Sequence, residues 1–289
     1  PSGPWSRNYF TTKVRSFGVA DTLAFADNRV LLTLGLRRQY LKQTSVSYGD
    51  YDDSAVTPLA GLVVKPFDGV SLYANYAEGL QKGANVTEND LPKVFPPFKT
   101  KQFELGVKWD MGSFAQTLSV YQLRQPGTTI DPDTGLYAIN GLQRHRGIEW
   151  NVFGQPAPRW RVLGGVAYVQ SRLVRTEDGA NDGNDGPGVP RVQAKVGVEW
   201  DTPFLPGLTM AVRGIHTGAA YANQDNTYRI KAWNRLDLGL RYARKIAGRN
   251  TTFRLDVENL LNRNYWVANS WNVGLGAPRT VLLSATMDF

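Results

Sequence analysis

The chain contains no cysteine, and only two of its 289 residues are histidine. Disulfides, thiolate metal sites and cysteine nucleophiles are therefore excluded, and little imidazole chemistry is available. No apolar run approaches the roughly 18 residues that a membrane-spanning helix needs. The sequence also lacks a Ser-His-Asp arrangement, a phosphate-binding loop and a metal-binding helix motif. We therefore expect no enzymatic activity, no resident metal and no cofactor.

Glycine and aromatic residues are plentiful instead, and they suit strands and tight turns. About 13 strands are predicted, joined alternately by short turns and long polar loops. The short turns fall at residues 27–28, 67–69, 111–113, 155–158, 203–207 and 246–250, and the long loops near residues 43–55, 79–98, 126–136, 176–188, 221–230 and 262–277. Short turns on one side and long loops on the other are typical of outer-membrane barrels. The predicted fold class is all-β, an antiparallel transmembrane β-barrel.

Several strands separate an apolar face from a polar one with a period of two. The cleanest apolar faces are Phe103, Leu105, Val107 and Trp109; Val192, Ala194, Val196, Val198 and Trp200; Leu236, Leu238, Leu240 and Tyr242; and Phe253, Leu255 and Val257. A soluble β-sandwich shows the same alternation and is the alternative at this point. Aromatic placement favours the barrel. Trp109, Trp160, Trp200 and Tyr242 lie on apolar faces beside short turns, which predicts a periplasmic aromatic girdle.

The final segment, residues 279–289, also reads as a strand. One face carries Val281, Leu283, Ala285, Met287 and Phe289, and the other carries Ser284, Thr286 and Asp288. A chain that ends inside such a strand is typical of bacterial outer-membrane barrels, since an unpaired edge is costly in lipid. We expect Phe289 to be the C-terminal signal for the barrel-assembly machinery.

Basic residues outnumber acidic ones by 33 to 25, giving a formal net charge of +8. The Arg and Lys residues are dispersed through strands and loops and form no recognition helix, so we expect no nucleic-acid partner. We expect the positive charge to serve the barrel wall or contacts with the lipid and the anionic phosphates of lipopolysaccharide.

Local motifs carry a family resemblance. They are the strand Phe98-Lys-Thr-Lys-Gln-Phe-Glu-Leu-Gly-Val-Lys-Trp-Asp110 with Thr117–Gln122 after its turn, then Arg146-Gly-Ile-Glu149, Glu258-Asn-Leu-Leu-Asn-Arg-Asn-Tyr265 and Gly276-Ala-Pro-Arg279. Together they resemble TonB-dependent outer-membrane receptors, and their order looks most like the ferric-siderophore branch. The resemblance extends from about Phe17 to Phe289. Gly106 and Gly147, which lack a Cβ, suit positions where a lumen side chain or a plug approaches the wall closely.

The resemblance implies a receptor in the bacterial cell outer membrane that takes up a ferric siderophore. Energy would come from the TonB-ExbB-ExbD complex. The family pattern is a TonB box and a plug followed by a 22-stranded barrel. We expect residues 1–289 to form the C-terminal portion of such a barrel, with plug and TonB box absent, so that this polypeptide alone transports nothing. A passive pore, or a receptor for cobalamin, haem or another metal chelate, is the alternative function.

Candidate ligand contacts gather in the outer halves of the last hairpins. The residues are Tyr221, Tyr228, Trp233, Tyr265, Trp266 and Trp271. They predict an aromatic ligand vestibule, and an outer aromatic girdle is the alternative interpretation. The acidic loop at residues 177–186 fails the EF-hand spacing and reads as a flexible external loop. We expect His145 to be a lumen or loop histidine. Its neighbours Arg144 and Arg146 would either attract an anionic chelate or pair with nearby acidic residues.

Overall fold

The computed structural model describes residues 10–45, 50–89, 91–268 and 273–288. Within them lie 19 strands and one 3-10 turn, Glu177–Gly179. No helix among these residues is long and apolar enough to span a membrane. The strands are β1 (Phe10–Phe25), β2 (Val30–Ser45), β3 (Tyr51–Phe67), β4 (Val70–Gln81), β5 (Asn85–Glu88), β6 (Leu91–Val94), β7 (Phe98–Asp110), β8 (Phe114–Ile130), β9 (Tyr137–Ala157), β10 (Trp160–Arg175), β11 (Val192–Asp201), β12 (Leu208–Thr217), β13 (Ala220–Tyr221), β14 (Arg229–Ile230), β15 (Trp233–Ile246), β16 (Arg249–Glu258), β17 (Trp266–Ala268), β18 (Val273–Leu275) and β19 (Thr280–Met287).

Thirteen strands form one antiparallel sheet in the order β1-β2-β3-β4-β7-β8-β9-β10-β11-β12-β15-β16-β19. This confirms the all-β class and the predicted number of strands. Three two-stranded hairpins, β5–β6, β13–β14 and β17–β18, lie within the long connections. Within the described residues, β1 and β19 each pair on one side only, so both stand at edges of this sheet.

The connections alternate between short and long, as the sequence predicts. Gly69 and Gly112, with φ of 76° and 83°, allow two of the short turns, because these angles are rarely adopted by residues that carry a Cβ. The turn predicted at residues 155–158 is shorter than expected. Strand β9 continues to Ala157, and Arg159, with φ of 69°, makes the turn to β10.

The cross-strand register gathers the apolar residues on one face, called here the apolar face. Trp200 lies opposite Trp160 on one side and Met210 on the other. Leu255 lies opposite Leu240 and Leu283. Paired residues share a face of the sheet, so these rows confirm the alternation predicted for β11, β15 and β16. The same register confirms that Val281, Leu283, Ala285 and Met287 share one face of β19. Phe289 lies outside the described residues.

The apolar face has no protein covering it within the described residues. Phe103, Trp109, Ile148 and Val196 are between 42% and 51% exposed on it. Soluble monomers rarely expose continuous apolar patches larger than several hundred Å². The β-sandwich alternative is therefore wrong for this chain, since a sandwich buries such a face against a second large sheet, whereas the other described sheets are three two-stranded hairpins.

The opposite face, called here the polar face, is concave. A concavity of about 1100 Å³ lies on it between β9 and β16, and its lining includes Glu149, Arg161, Lys195, Arg213 and Asp256. The alternation has exceptions on this face. Four apolar side chains with the polar-face register are more than half exposed: Val14, Phe153, Leu163 and Leu282.

Candidate functional site

Tyrosine rings cover glycines on the polar face. Gly106 lies opposite Tyr73, and a Cβ built on Gly106 would stand 2.5 Å from the ring carbon Cζ. Gly147 lies opposite Tyr121, whose Cζ would be 2.6 Å from a Cβ at that position. These contacts confirm the expectation that both glycines receive a neighbouring side chain on the wall. The Tyr73 hydroxyl donates a 2.7 Å hydrogen bond to Glu104, which fixes the ring across its glycine.

A buried carboxylate organises the outer part of the polar face. Asp237 on β15 is only 3% exposed. Its Oδ2 lies 2.9 Å from Nη2 of Arg235 and 3.3 Å from Nε of Arg213 on the neighbouring strand. Its Oδ1 accepts a 2.9 Å hydrogen bond from the backbone N–H of Asn259. A buried carboxylate is tolerated only when paired and hydrogen-bonded, and Asp237 meets both conditions.

Asn259 connects this carboxylate to the long β16–β19 loop. It is 1% exposed and has a φ of 52°, a conformation that asparagine tolerates better than most residues. Its side-chain amide donates to the carbonyl oxygens of Arg263 and Ala277 at 2.9 and 3.1 Å, and its Oδ1 accepts from the N–H of Arg263 at 2.9 Å. One side chain thus joins both ends of the loop.

Two of the six predicted vestibule aromatics meet directly. Trp233, at the start of β15, stacks on Tyr265 with ring centroids 4.2 Å apart and an interplanar angle of 25°. Tyr265 is only 8% exposed, and Gly276 leaves room for its ring because a Cβ there would overlap it. The register of β15 places Trp233 on the same face as Arg235 and Asp237. Tyr265 is therefore a support for this wall, and Trp233 is the more accessible member of the pair.

Two further vestibule residues belong to the hairpin β13–β14. Tyr228 is 72% exposed, whereas Tyr221 is partly buried. The Tyr221 carbonyl oxygen accepts a 2.7 Å hydrogen bond from the N–H of Gly188 in the preceding long loop. Asn226 and Asp185 exchange two hydrogen bonds of 2.8 and 2.9 Å between the same loops. This hairpin is therefore attached to the β10–β11 loop.

Trp266, on the hairpin β17–β18, is 53% exposed. Trp271 lies outside the described residues. The six aromatics therefore differ in accessibility, with Tyr228 and Trp266 open, Tyr221 and Trp233 partly covered, and Tyr265 buried. Contact with a ligand stays a prediction for all of them.

The four predicted girdle residues all have apolar-face registers near short turns. Trp160 and Trp200 stack with ring centroids 5.6 Å apart, and Phe204 meets Trp200 edge-on at 6.0 Å. Trp109 is 51% exposed, and Tyr242 lies opposite Leu208 at the start of β12. This placement is compatible with a girdle, which stays a prediction.

The acidic loop is more strongly attached than its composition predicts. The carboxylate of Asp185 lies 3.0 Å from Arg172 and 2.8 Å from Arg191. In the described part of the chain, no group of three or more His, Cys, Asp or Glu side chains is arranged to hold a metal ion. His145 lies opposite Leu123 and Ser171 and is partly buried.

A second loop contact joins the hairpin β5–β6 to the outer end of β9. The carboxylate of Glu88 accepts hydrogen bonds from Lys93 Nζ at 2.8 Å and from the N–H of Tyr137 at 2.8 Å. The hydrogen bond from Lys93 and the backbone bond from Tyr137 hold the pKa of Glu88 below its ordinary value, against a smaller effect of burial.

Sequence reasoning missed the network around Asp237 and Asn259. The alternation correctly put Arg235 and Asp237 on one face of β15. The contribution of Arg213 depends on the β12–β15 register, and that of Asn259 depends on the path of the 21-residue loop between β16 and β19. Neither is contained in a local pattern.

Comparison with known proteins gives a consistent result. The family model described as "TonB dependent receptor-like, beta-barrel" matches residues 1–260. The chain is 37% identical over 300 residues to the ferrichrome receptor FcuA of Yersinia enterocolitica, covering 96% of this chain and 39% of that protein. It is 27% identical to the probable TonB-dependent siderophore receptor PiuA of Acinetobacter baumannii, covering 82% of this chain and 35% of that protein.

Among solved structures, the ferric preacinetobactin receptor BauA of Acinetobacter baumannii superimposes with a TM-score of 0.87 at 42% identity. The match covers 97% of this chain and 43% of BauA. The chain therefore spans less than half the length of each of these relatives.

Proposed function

Because the chain belongs to the TonB-dependent receptor β-barrel family, we propose that it is the C-terminal barrel portion of a receptor for ferric-siderophore uptake. Proteins of this family lie in the bacterial outer membrane, and the chain therefore belongs to that membrane. The observation that carries the proposal is the similarity, over nearly the whole chain, to receptors for ferrichrome and ferric preacinetobactin.

The proposed receptor contains a plug and a TonB box upstream of residues 1–289. The short coverage of the relatives supports this division of the protein. The exposed apolar side chains Phe153, Leu163 and Leu282 support it as well, since apolar groups on a concave polar face are best explained by a packed partner. Energy would reach the plug through the TonB-ExbB-ExbD complex, and Phe289 would be read by the barrel-assembly machinery.

The aromatic residues at the outer end are proposed to receive the chelate. Trp266 and Tyr228 offer accessible rings, and Trp233 is held by Tyr265. Flat aromatic surfaces suit a catecholate or hydroxamate chelate because stacking buries apolar area with little loss of side-chain entropy.

Uptake of ⁵⁵Fe is the test. Cells that lack the gene are complemented with the intact receptor, and accumulation of ferrichrome-bound and preacinetobactin-bound iron is measured with and without TonB. The proposal predicts uptake of a ferric siderophore only when receptor and TonB are both present. Uptake of haem or cobalamin in place of every ferric siderophore would contradict the cargo, and TonB-independent uptake would indicate a passive pore.

A further inference from the structure

The long loop between β10 and β11 is held along the outer end of β10. The N–H of Leu173 donates to the carbonyl oxygen of Asn184 at 2.9 Å, and the N–H of Gly183 donates back to the carbonyl oxygen of Leu173 at 2.8 Å. The N–H of Gly186 donates to the carbonyl oxygen of Ser171 at 3.2 Å. These backbone bonds continue the antiparallel pairing beyond the start of β11. The sheet itself therefore supports this part of the loop.

The side chain of Asp185 anchors the same loop. Asp185 is 8% exposed, and its two carboxylate oxygens lie 3.0 Å from Arg172 Nη1 on β10 and 2.8 Å from Arg191 Nη2 just before β11. Removing one partner from a buried ion pair is strongly destabilising, because the other charge is left without compensation. The attachment of the β10–β11 loop to the sheet therefore depends on this one carboxylate.

The hairpin β13–β14 has little support of its own. Its strands have only two residues each, and an isolated two-stranded hairpin is at best marginally stable in water. Inside the hairpin, Asn223 Oδ1 accepts from the N–H of Tyr228 at 3.0 Å, and Asn223 Nδ2 donates to the Thr227 hydroxyl at 2.7 Å. The hairpin carries Tyr221 and Tyr228, so contacts outside it determine where these two rings lie.

Four hydrogen bonds join the hairpin to the β10–β11 loop. Asn226 Oδ1 accepts from the N–H of Asp185 at 2.8 Å, and Asn226 Nδ2 donates to the carbonyl oxygen of Asp185 at 2.9 Å. The Asn226 amide thus bonds to both backbone groups of Asp185, as a neighbouring strand would. We call this contact between Asp185 and Asn226 the loop junction. The other two bonds run from Asn184 Nδ2 to the Gln224 carbonyl oxygen at 2.9 Å and from the Gly188 N–H to the Tyr221 carbonyl oxygen at 2.7 Å.

We propose that the loop junction makes the β10–β11 loop and the hairpin β13–β14 open and close as one body, anchored on the sheet through the Asp185 carboxylate. Asp185 and Asn226 are then positioning residues for Tyr221 and Tyr228, without contact to a ligand. The joint opening concerns the chain alone, whereas the positioning of the two tyrosines rests on the proposed function.

The test measures hydrogen exchange in residues 181–188 and 220–230 of the intact receptor in detergent. Asp185→Asn removes the charge of the anchor and keeps the backbone groups that Asn226 binds. Asn226→Gly removes the amide, and glycine adopts the φ of 57° found at this position. The matched control is Thr176→Val, which removes two hydrogen bonds inside the β10–β11 loop, to Asn181 and Asp182, and none to the hairpin.

We expect Asp185→Asn to accelerate exchange at least about fivefold in both segments, although no partner of its carboxylate within the described residues belongs to the hairpin. Thr176→Val should accelerate exchange in the β10–β11 loop alone. In the Asn226→Gly background, Asp185→Asn should no longer affect the hairpin, because the two loops are then separate. Unchanged exchange of the hairpin in Asp185→Asn, or an equal effect of Asp185→Asn in both backgrounds, would overturn the joint opening.

Titration with a ferric siderophore tests the positioning of the tyrosines. Asp185→Asn and Asn226→Gly should each raise the Kd at least about twofold, because only the closed loops present both rings, and Thr176→Val should leave it unchanged. The unfolding temperature of the receptor should be the same in all three variants. A wild-type Kd in both junction variants would overturn the positioning. A wild-type receptor that binds no ferric siderophore would contradict the proposed function and the positioning together, whereas the exchange rates alone decide the joint opening.

Discussion

Single residues determine where tyrosine rings pack against the sheet and where the long β16–β19 loop is anchored. Gly106 and Gly147 leave space for tyrosine rings from neighbouring strands, which cover these glycines on the polar face. Asn259 holds both ends of the β16–β19 loop and is itself held by Asp237. Each of these roles depends on one side chain, or on the lack of one, at a single position. Substitutions at these positions should therefore have specific effects.

Substitution of Asn259 should loosen the β16–β19 loop. Asn259→Ala removes three side-chain hydrogen bonds and puts a less tolerant residue at positive φ. We expect a local loss of about 1–3 kcal/mol, which corresponds to roughly 5- to 150-fold faster hydrogen exchange in residues 260–268. Asn262→Ala is the control, because among the described residues Asn262 Oδ1 accepts one hydrogen bond, from the N–H of Arg279. Equal exchange rates in the two variants would contradict the role of Asn259.

Substitutions of Trp266 and Tyr265 should distinguish a residue that contacts the ligand from one that supports the fold. Trp266→Ala should raise the Kd for the ferric siderophore about tenfold and leave the unfolding temperature unchanged, since the ring is 53% exposed. Tyr265→Ala should lower the unfolding temperature, because Tyr265 supports Trp233. Fluorescence titration and calorimetry of the intact receptor measure both quantities. An unchanged Kd in Trp266→Ala would remove this residue from the vestibule.

At the scale of strands and loops, the main structural feature is the separation of an apolar face from a polar face. The apolar rows of β11, β12 and β15 are continuous through their register, and the polar face holds the charged networks. The long connections form small hairpins that contact each other or the wall, as Glu88 and Asn226 illustrate. Strand substitutions should therefore act on assembly, whereas loop substitutions should act locally.

A charge at the centre of the apolar face should impair assembly. Val196 on β11 is 42% exposed and lies four residues from Trp200. Val196→Arg should cost roughly 2–4 kcal/mol near the membrane midplane. Gln193→Arg adds the same side chain to the polar face of the same strand and should assemble normally. The amount of folded receptor in outer-membrane fractions measures the effect, and equal assembly of both variants would argue against a lipid-facing Val196.

The contact of the hairpin β5–β6 with β9 should depend on pH. A carboxylate whose pKa is lowered in the folded state adds stability above its unfolded pKa of about 4.3. That stability is lost as the pH falls through the lower, folded value. We therefore expect the Tyr137 N–H to stay protected from hydrogen exchange at neutral pH and to lose protection below about pH 4. Glu88→Gln should lower that protection at neutral pH. Protection that is independent of pH in the wild type would contradict this contact.

The predictable part of the fold is the part that local patterns encode. Period-two alternation and turn residues gave the all-β class, the number of strands and the apolar faces of β7, β11, β15 and β16. The β9–β10 turn was placed too early because Pro156 reads as a turn residue, although β9 continues to Ala157. The network around Asp237 could not be predicted, since it arises from the β12–β15 register and from the path of the β16–β19 loop.

At the scale of the whole molecule, one sheet of 13 strands with an uncovered apolar face and a concave polar face agrees with a section of a large barrel wall. The relatives are each more than twice as long as the region they share with this chain. The proposed receptor therefore depends on residues beyond 1–289 for its plug and for its coupling to TonB.

The most direct test is the intact mass of the native polypeptide that carries this sequence in outer-membrane fractions. The account predicts a mass at least about twice the 32.1 kDa of residues 1–289, because the proposed receptor includes a plug and further strands in addition to these residues. A native polypeptide of 32.1 kDa, or its absence from the outer membrane, would contradict the proposal that this chain is one portion of a TonB-dependent siderophore receptor.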